Sequence, residues 1–185
     1  MLTLYILRHA KSDWNQGLPD LQRPLSPRGE KAIPAMGRLA HVLPSPVETI
    51  LTSPAKRAHS TAAGVQAALI AHGGSVTLCQ EPALYDADVE QLLSVIAGID
   101  QHVRTAMLVG HNPGFEQLVA VLCSMTGAHG PRMPTATLAH MTFHQPSWHA
   151  VRSGTGQLEG LYPARVMCRF SQMYKEGLTS PAVGS

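Results

Sequence analysis

The chain has 185 residues, with 44% apolar and 14% charged side chains, and 14 Lys and Arg against 12 Asp and Glu leave a formal charge of +2. That length suits one domain with a core that needs no staples, and the composition excludes a disordered chain. A balance of +2 excludes a general attraction for nucleic acid or anionic membrane, so any basic site must be local.

The three cysteines, Cys79, Cys123 and Cys168, stand far apart with no Cys-x-x-Cys spacing. They predict free buried thiols in a reducing compartment and argue against a zinc site. No run reaches the ~18 unbroken apolar residues of a membrane span. The apolar start, Met1 to Leu7, lacks a basic leader and runs straight into Arg8, so it reads as a strand and not as a signal peptide. A cytoplasmic protein is expected.

Leu2 to Leu7 is rich in β-formers and reads as a buried strand. Ser26 then Pro27 opens a helix in which Ala32, Met36, Leu39 and Leu43 keep the period, while Pro34 should kink or split it. Val47 to Thr52 is a second strand, and Ala55, Ala58, Ala62, Val65 and Leu69 share a face of the helix after it. Val76 to Cys79 is a third strand. Asp88, with Gln91 three residues on, caps a short helix carrying Leu92, Leu93 and Ile96. Ala106 to Val109 is a fourth strand, and Phe115, Leu118, Val119, Leu122 and Met125 mark one face of the next helix. Thr137 to Phe143 and Trp148 to Arg152 read as two strands joined through Gln145 and Pro146. Ser153 to Gly160 reads as a loop and Gly177 to Ser185 as a fraying tail. Strand and helix in alternation predict an α/β sandwich around a mostly parallel sheet, a single domain over residues 1–176.

Chemistry collects at three strand-to-helix junctions. The first strand delivers Arg8 and His9. The second opens a helix through Ser53-Pro54 and puts Arg57 in or beside its first turn. The fourth delivers His111, followed by Asn112-Pro113-Gly114. Ser-Pro and Asn-Pro are both helix-start signatures. In an open α/β sheet, ligands bind outside the carboxyl ends of the strands, where these junctions converge. Arg8, His9, Arg57 and His111 beside helix N-termini suit a phosphate or another anion. Such a pocket repels a divalent cation and lacks the carboxylate or thiolate to balance one, so no metal is expected. A histidine nucleophile fits better, since adjacent guanidinium groups keep an imidazole neutral and then stabilise the phosphoryl oxygens.

The run Leu7-Arg8-His9-Ala10-Lys11-Ser12-Asp13-Trp14-Asn15 resembles the signature of the histidine phosphatase (phosphoglycerate mutase-like) superfamily. Ser53-Pro54-Ala55-Lys56-Arg57-Ala58 and Gly110-His111-Asn112-Pro113-Gly114 resemble its second and third motifs. Arg23-Pro24-Leu25-Ser26-Pro27-Arg28-Gly29 and Leu84-Tyr85-Asp86-Ala87 are similar to the short SixA-type phosphohistidine phosphatases within it. The resemblance spans about residues 4 to 125 and is loose beyond Gly130. It implies a phosphoglycerate mutase-like three-layer αβα fold, a phosphohistidine intermediate on His9, phosphate contacts from Arg8, Arg57 and His111, and no cofactor.

Two departures stand out. Ala10 replaces the signature glycine, and no glutamate occupies the mutase-type proton-donor place. Asp86 is nearest by position, with Asp88 and Asp20 behind it. Asn15 and Ser12 are further candidates for phosphate contact, although turn chemistry explains them equally well. The expected substrate is a phosphorylated protein, with no nucleic-acid or membrane partner. The rival readings are a small-phosphoester or nucleotide phosphatase of the same superfamily and a non-catalytic anion-binding domain.

Overall fold

The computed structural model describes residues 1–125 and 130–178. β1 (Leu2–Arg8) sends Leu2, Leu4 and Ile6 into one core and Tyr5 and Leu7 into another. A strand buried on both faces lies at the centre of a sheet. The chain then runs through α1 (Pro27–Val42), β2 (Thr49–Thr52), α2 (Lys56–Ala71), β3 (Thr77–Gln80) and α3 (Val89–Ala97). It continues through β4 (Thr105–Gly110), α4 (Gly114–Leu122), β5 (Thr137–Phe143), β6 (Gly156–Pro163) and α5 (Ala164–Leu178).

The strand order is β3-β2-β4-β1-β5-β6. The first four strands of that order are mutually parallel, and β5 and β6 continue the sheet antiparallel. α1, α2 and the start of α5 cover the face carrying Tyr5 and Leu7, while α3 and α4 cover the face carrying Leu4 and Ile6. This is a three-layer αβα sandwich, as expected. Among the described residues no helix is long and apolar enough to cross a membrane.

Several local expectations are corrected. α1 runs unbroken through Pro34. The bond that Pro34 cannot make would reach the Glu30 carbonyl, and both residues are exposed, so water can take it. Meanwhile Met36, Leu39 and Ala40 hold the helix onto the sheet. Ser53-Pro54 and Asn112-Pro113 do not cap helices as expected. α2 begins after Ala55 and α4 after Pro113, neither with a side-chain cap, and the Asn112-Pro113 peptide is cis. Asp88 and Gln91 do form the expected capping box on α3.

The strand expected over Trp148 to Arg152 is absent. Trp148–Ala150 is a single 3-10 turn with a buried indole that donates to the Val103 carbonyl at 2.7 Å. β5 pairs instead with β6, which lies where a loop was expected. The glycines at 156 and 160 hid an alternation in which Gln157 and Glu159 face solvent and Leu158 packs inward. Met125 lies beyond α4 and is 40% exposed. The cysteines are free as expected but not buried, since Cys79 is exposed and the other two are half-buried. α5 reaches Leu178, into the expected tail, and residues 179–185 lie outside the described residues.

One glycine governs the entry to α1. A Cβ on Gly29 would overlap the Lys11 carbonyl oxygen, which already accepts from the Ser26 amide at 2.8 Å and the Ser26 hydroxyl at 3.0 Å. Gly29→Ala is therefore expected to destabilise the fold by about 1–3 kcal/mol. The readout is a lower urea midpoint with an unchanged m value.

Candidate active site

Lateral register assembles the site. Arg8 pairs with Gly110 across β1 and β4, and Thr52 pairs with Val109 across β2 and β4. His9 and His111 therefore leave the sheet at the same level, and Ser53 leaves it one residue earlier. The His9 amide donates to the Gly110 carbonyl at 3.0 Å, and the Ser53 amide donates to the Val109 carbonyl at 2.9 Å. Arg57 follows as the second residue of α2. These junctions open into a cavity of about 450 Å³ lined by Arg8, His9, Lys11, Ser12, Trp14, Asp20, Arg23, Arg57, Tyr85, Asp86, His111, Asn112 and Thr135.

His9 is almost fully buried. Its Nδ1 lies 2.7 Å from the Ala10 carbonyl oxygen. A carbonyl can only accept, so the proton sits on Nδ1 and Nε2 carries a lone pair that can accept. Arg57 Nε approaches that lone pair at 3.4 Å. The same logic assigns the second imidazole. Arg57 Nη2 lies 3.3 Å from His111 Nδ1, so His111 Nε2 carries the proton and donates to the Ser53 hydroxyl oxygen at 2.8 Å. The two rings stand 5.0 Å apart.

Burial is the largest influence on both imidazoles and disfavours their charged forms. For His9 the Ala10 carbonyl works the other way, but Arg57, Arg8 and Arg23 add to burial and bring the ring down to about 4. For His111, burial followed by His9 and Arg57 lowers it to about 3. The expected neutrality of His9 thus holds, but its main cause is desolvation, with the guanidinium groups second.

Asp20 has a larger place than its sequence position implied. Its carboxylate accepts from Arg57 Nη2 and from the Tyr85 hydroxyl, each at 2.8 Å, and also pairs with Arg23. Its backbone carbonyl takes Arg57 Nη1 at 2.7 Å. Burial alone would raise this carboxyl, but the Tyr85 and Arg57 hydrogen bonds and the two guanidinium charges outweigh it and hold it at about 2. Asp20 is therefore an anion clamped by two arginines.

Arg23 is itself buried, with Nε and Nη1 lacking any hydrogen-bond partner among the described residues. Its guanidinium lies 3.5 Å above the centre of the Trp14 ring. Trp14, 72% exposed, forms part of the rim. Arg8 donates through Nη1 to the Met133 carbonyl at 2.8 Å, and Asn112 donates to the same oxygen at 3.1 Å. The Met133 amide in turn binds Glu116 of α4 at 2.6 Å.

The four junction residues thus converge as expected. Ser12 and Asp86 also line the cavity, Asp86 with a left-handed backbone at φ 52°. Asn15 does not line it; its amide caps the Asp13 carboxylate at 3.0 Å. The Asp88 carboxylate accepts from the Gln91 amide at 2.8 Å in the capping box. Arg23, Trp14, Tyr85 and the Met133 carbonyl were not singled out as site groups. The Arg23-Pro24-Leu25 motif was the available signal for Arg23, and nothing in the sequence marks Met133. Four cations and two carboxylates line the cavity, an arrangement suited to an oxyanion. Among the described residues no group of three or more His, Cys, Asp or Glu side chains is placed to hold a metal ion.

The family model of the histidine phosphatase superfamily (branch 1) matches residues 4–92. An uncharacterised protein of Mycobacterium tuberculosis is 32% identical over 168 residues, covering 86% of this chain and all of that protein. A chain from Nakamurella multipartitia assigned as a SixA phosphohistidine phosphatase is 25% identical with a TM-score of 0.71, covering 86% of this chain and 94% of that one. The protein histidine phosphatase SixA complexed with tungstate superposes with a TM-score of 0.74 at 22% identity, covering 90% of this chain and 99% of that one.

The two neutral imidazoles predict how stability responds to acid. In the unfolded chain each titrates near 6.5, against about 4 and about 3 when folded. The unfolded chain therefore binds more protons below the unfolded value. Stability should fall as the pH drops from about 6.5 toward 4, by at most about 1.4 kcal/mol per pH unit for each ring. Urea titrations at successive pH values measure the slope, and His111→Gln should reduce it.

Proposed function

The chain belongs to the histidine phosphatase superfamily, in its SixA-like branch, and as a histidine-nucleophile phosphatase we propose that it hydrolyses phosphohistidine on a protein, with His9 as the nucleophile. The observation that carries this reading is the His9 ring. Its Nδ1–H is anchored on the Ala10 carbonyl, and its Nε2 accepts from Arg57 Nε, both residues lining the cavity. The reading takes residues 1–176 as one catalytic domain.

The His9 Nε2 lone pair attacks phosphorus in line, and the bond from phosphorus to the leaving group breaks. Arg8 and Arg57 hold equatorial oxygens through their N–H groups, and His111 takes the third by turning its Nε2–H from Ser53 to the phosphoryl group, with charge developing on these oxygens as the groups separate. Arg57 must turn from Asp20 to the phosphoryl group, and Asp20 remains paired with Arg23 and Tyr85. A phosphohistidine ring protonated on its other nitrogen departs as neutral imidazole with the bonding electron pair, so the step needs no proton from the enzyme. Water then attacks the phosphorus on His9, its proton passes to solvent, and phosphate leaves with Nε2 restored.

This chemistry accounts for the carboxylates. Asp20 is ionised throughout the neutral range, and Asp88 is spent on a helix cap. Asp86 lines the cavity and is the group left to assist a poorer leaving group. Between Arg57 and His111 the chain holds α2, β3, a 3-10 turn, α3 and β4, with no inserted cover. An open rim suits a phosphorylated side chain standing on a protein surface better than a free metabolite that must be enclosed.

His9→Ala is expected to abolish turnover without unfolding the chain, and rapid quench of the wild type should trap acid-labile, base-stable label. Label on serine or aspartate, or activity in the variant, overturns the reading. Arg57→Ala should cost about 2–4 kcal/mol of transition-state stabilisation, read from kcat/KM. The cationic cavity repels divalent ions, so turnover should survive exhaustive chelation. Protein phosphohistidine should also be hydrolysed with a higher kcat/KM than phosphoglycerate or a sugar phosphate.

A further inference from the structure

The net charge of +2 hides an uneven distribution. Beside the active-site cavity lies a hollow of about 260 Å³, and the two share Lys11 and Thr135. The charged residues of its lining are Lys11, Arg28, Lys31 and Arg165, from the loop after β1, the start of α1 and the start of α5. Four of the 14 Lys and Arg thus surround one hollow that none of the 12 Asp and Glu lines. All four are exposed, and among the described residues none is in an ion pair, both ion pairs belonging to Asp20. Like charges gathered in this way repel one another, and an anionic partner relieves that repulsion.

The backbone holds the hollow in a constant relation to His9. The Lys11 carbonyl accepts from the Ser26 amide at 2.8 Å, which ties the start of α1 to the residues after His9. The Ala136 amide lies 3.1 Å from the carbonyl oxygens of both Arg8 and His9, and the Ala164 amide donates to the Ala136 carbonyl at 3.0 Å. The start of α5 is thereby tied to the same junction. A phosphoryl group at His9 and a second anion in the hollow would be held by one frame.

We infer that this hollow docks carboxylate side chains that flank the phosphohistidine of a protein substrate, an inference that rests on the phosphohistidine reading. A second phosphate on a small metabolite calls for buried arginines in bidentate geometry. Here the cations are exposed and spread over three segments, which suits the diffuse charge complementarity of two protein surfaces.

The test compares four substrates: a phosphohistidine peptide flanked by Asp and Glu, the same peptide flanked by Asn and Gln, phosphoramidate, and phosphoglycerate. Phosphoramidate offers the same P–N bond with no flanks. The wild type is expected to prefer the acidic peptide by about tenfold in kcat/KM, chiefly through KM, with the preference shrinking as salt rises. In a Lys31→Glu/Arg165→Glu double variant the preference should vanish while phosphoramidate turnover stays unchanged, which also shows that the variant is folded. A Lys31→Arg/Arg165→Lys variant should keep the preference.

Equal rates on the two peptides in the wild type, or a preference that survives the double reversal, overturns the inference. Phosphoglycerate turned over better than either peptide, and impaired by the reversal, assigns the hollow to a small dianion and overturns it too. Phosphoglycerate turnover with neither peptide hydrolysed removes the phosphohistidine reading itself, and this inference with it.

Discussion

The parallel hydrogen bonds that align β1 with β4 and β4 with β2 set the level at which three strands end, and every group at the site takes its place from that level. A shift of one residue in β1 would turn Leu4 and Ile6 from one core to the other and carry His9 to the wrong face. The two cores, each built on alternate residues of β1, forbid that shift. Packing far from the cavity thereby fixes chemistry inside it.

On that frame the electrostatics are arranged by dehydration as much as by charge. Burial alone disfavours an imidazolium at His9 and His111, and the arginines reinforce it. The buried guanidinium groups create the opposite problem, since positive charges without a counter-ion are costly away from water. Asp20 answers it by bridging Arg57 and Arg23. Its carboxylate takes Arg57 Nη2 and its backbone carbonyl takes Arg57 Nη1, so one residue both neutralises and orients that guanidinium.

The C-terminal third, where motif resemblance is loose, is not an appendage. The Met133 carbonyl orients Arg8 and Asn112, and the Ala136 amide caps the strand end that delivers His9. β5 and β6 extend the sheet beside β1, and α5 packs against α1. The same segment brings Arg165 beside Lys11, Arg28 and Lys31, so the support of the His9 junction and the basic hollow share one piece of chain.

What was legible in the sequence was local. Arg8-His9, Ser53 to Arg57 and Gly110-His111 each stand at the end of an apolar strand, and strand ends in a parallel sheet are forced to one edge, so the convergence of these residues on one cavity could be read before the fold was known. The capping box at Asp88 and the start of α1 at Ser26 were legible for the same reason, since their bonds span only three residues. Pro34 misled because a local rule was overridden by packing of Met36 and Leu39, and β6 was missed because its glycines mask an alternation that matters only beside β5. The Asp20 clamp, the Met133 carbonyl and the basic hollow join residues tens to more than a hundred positions apart. Such contacts leave no periodicity or spacing to read, because they come into being only when the sheet and its two helical layers close around them.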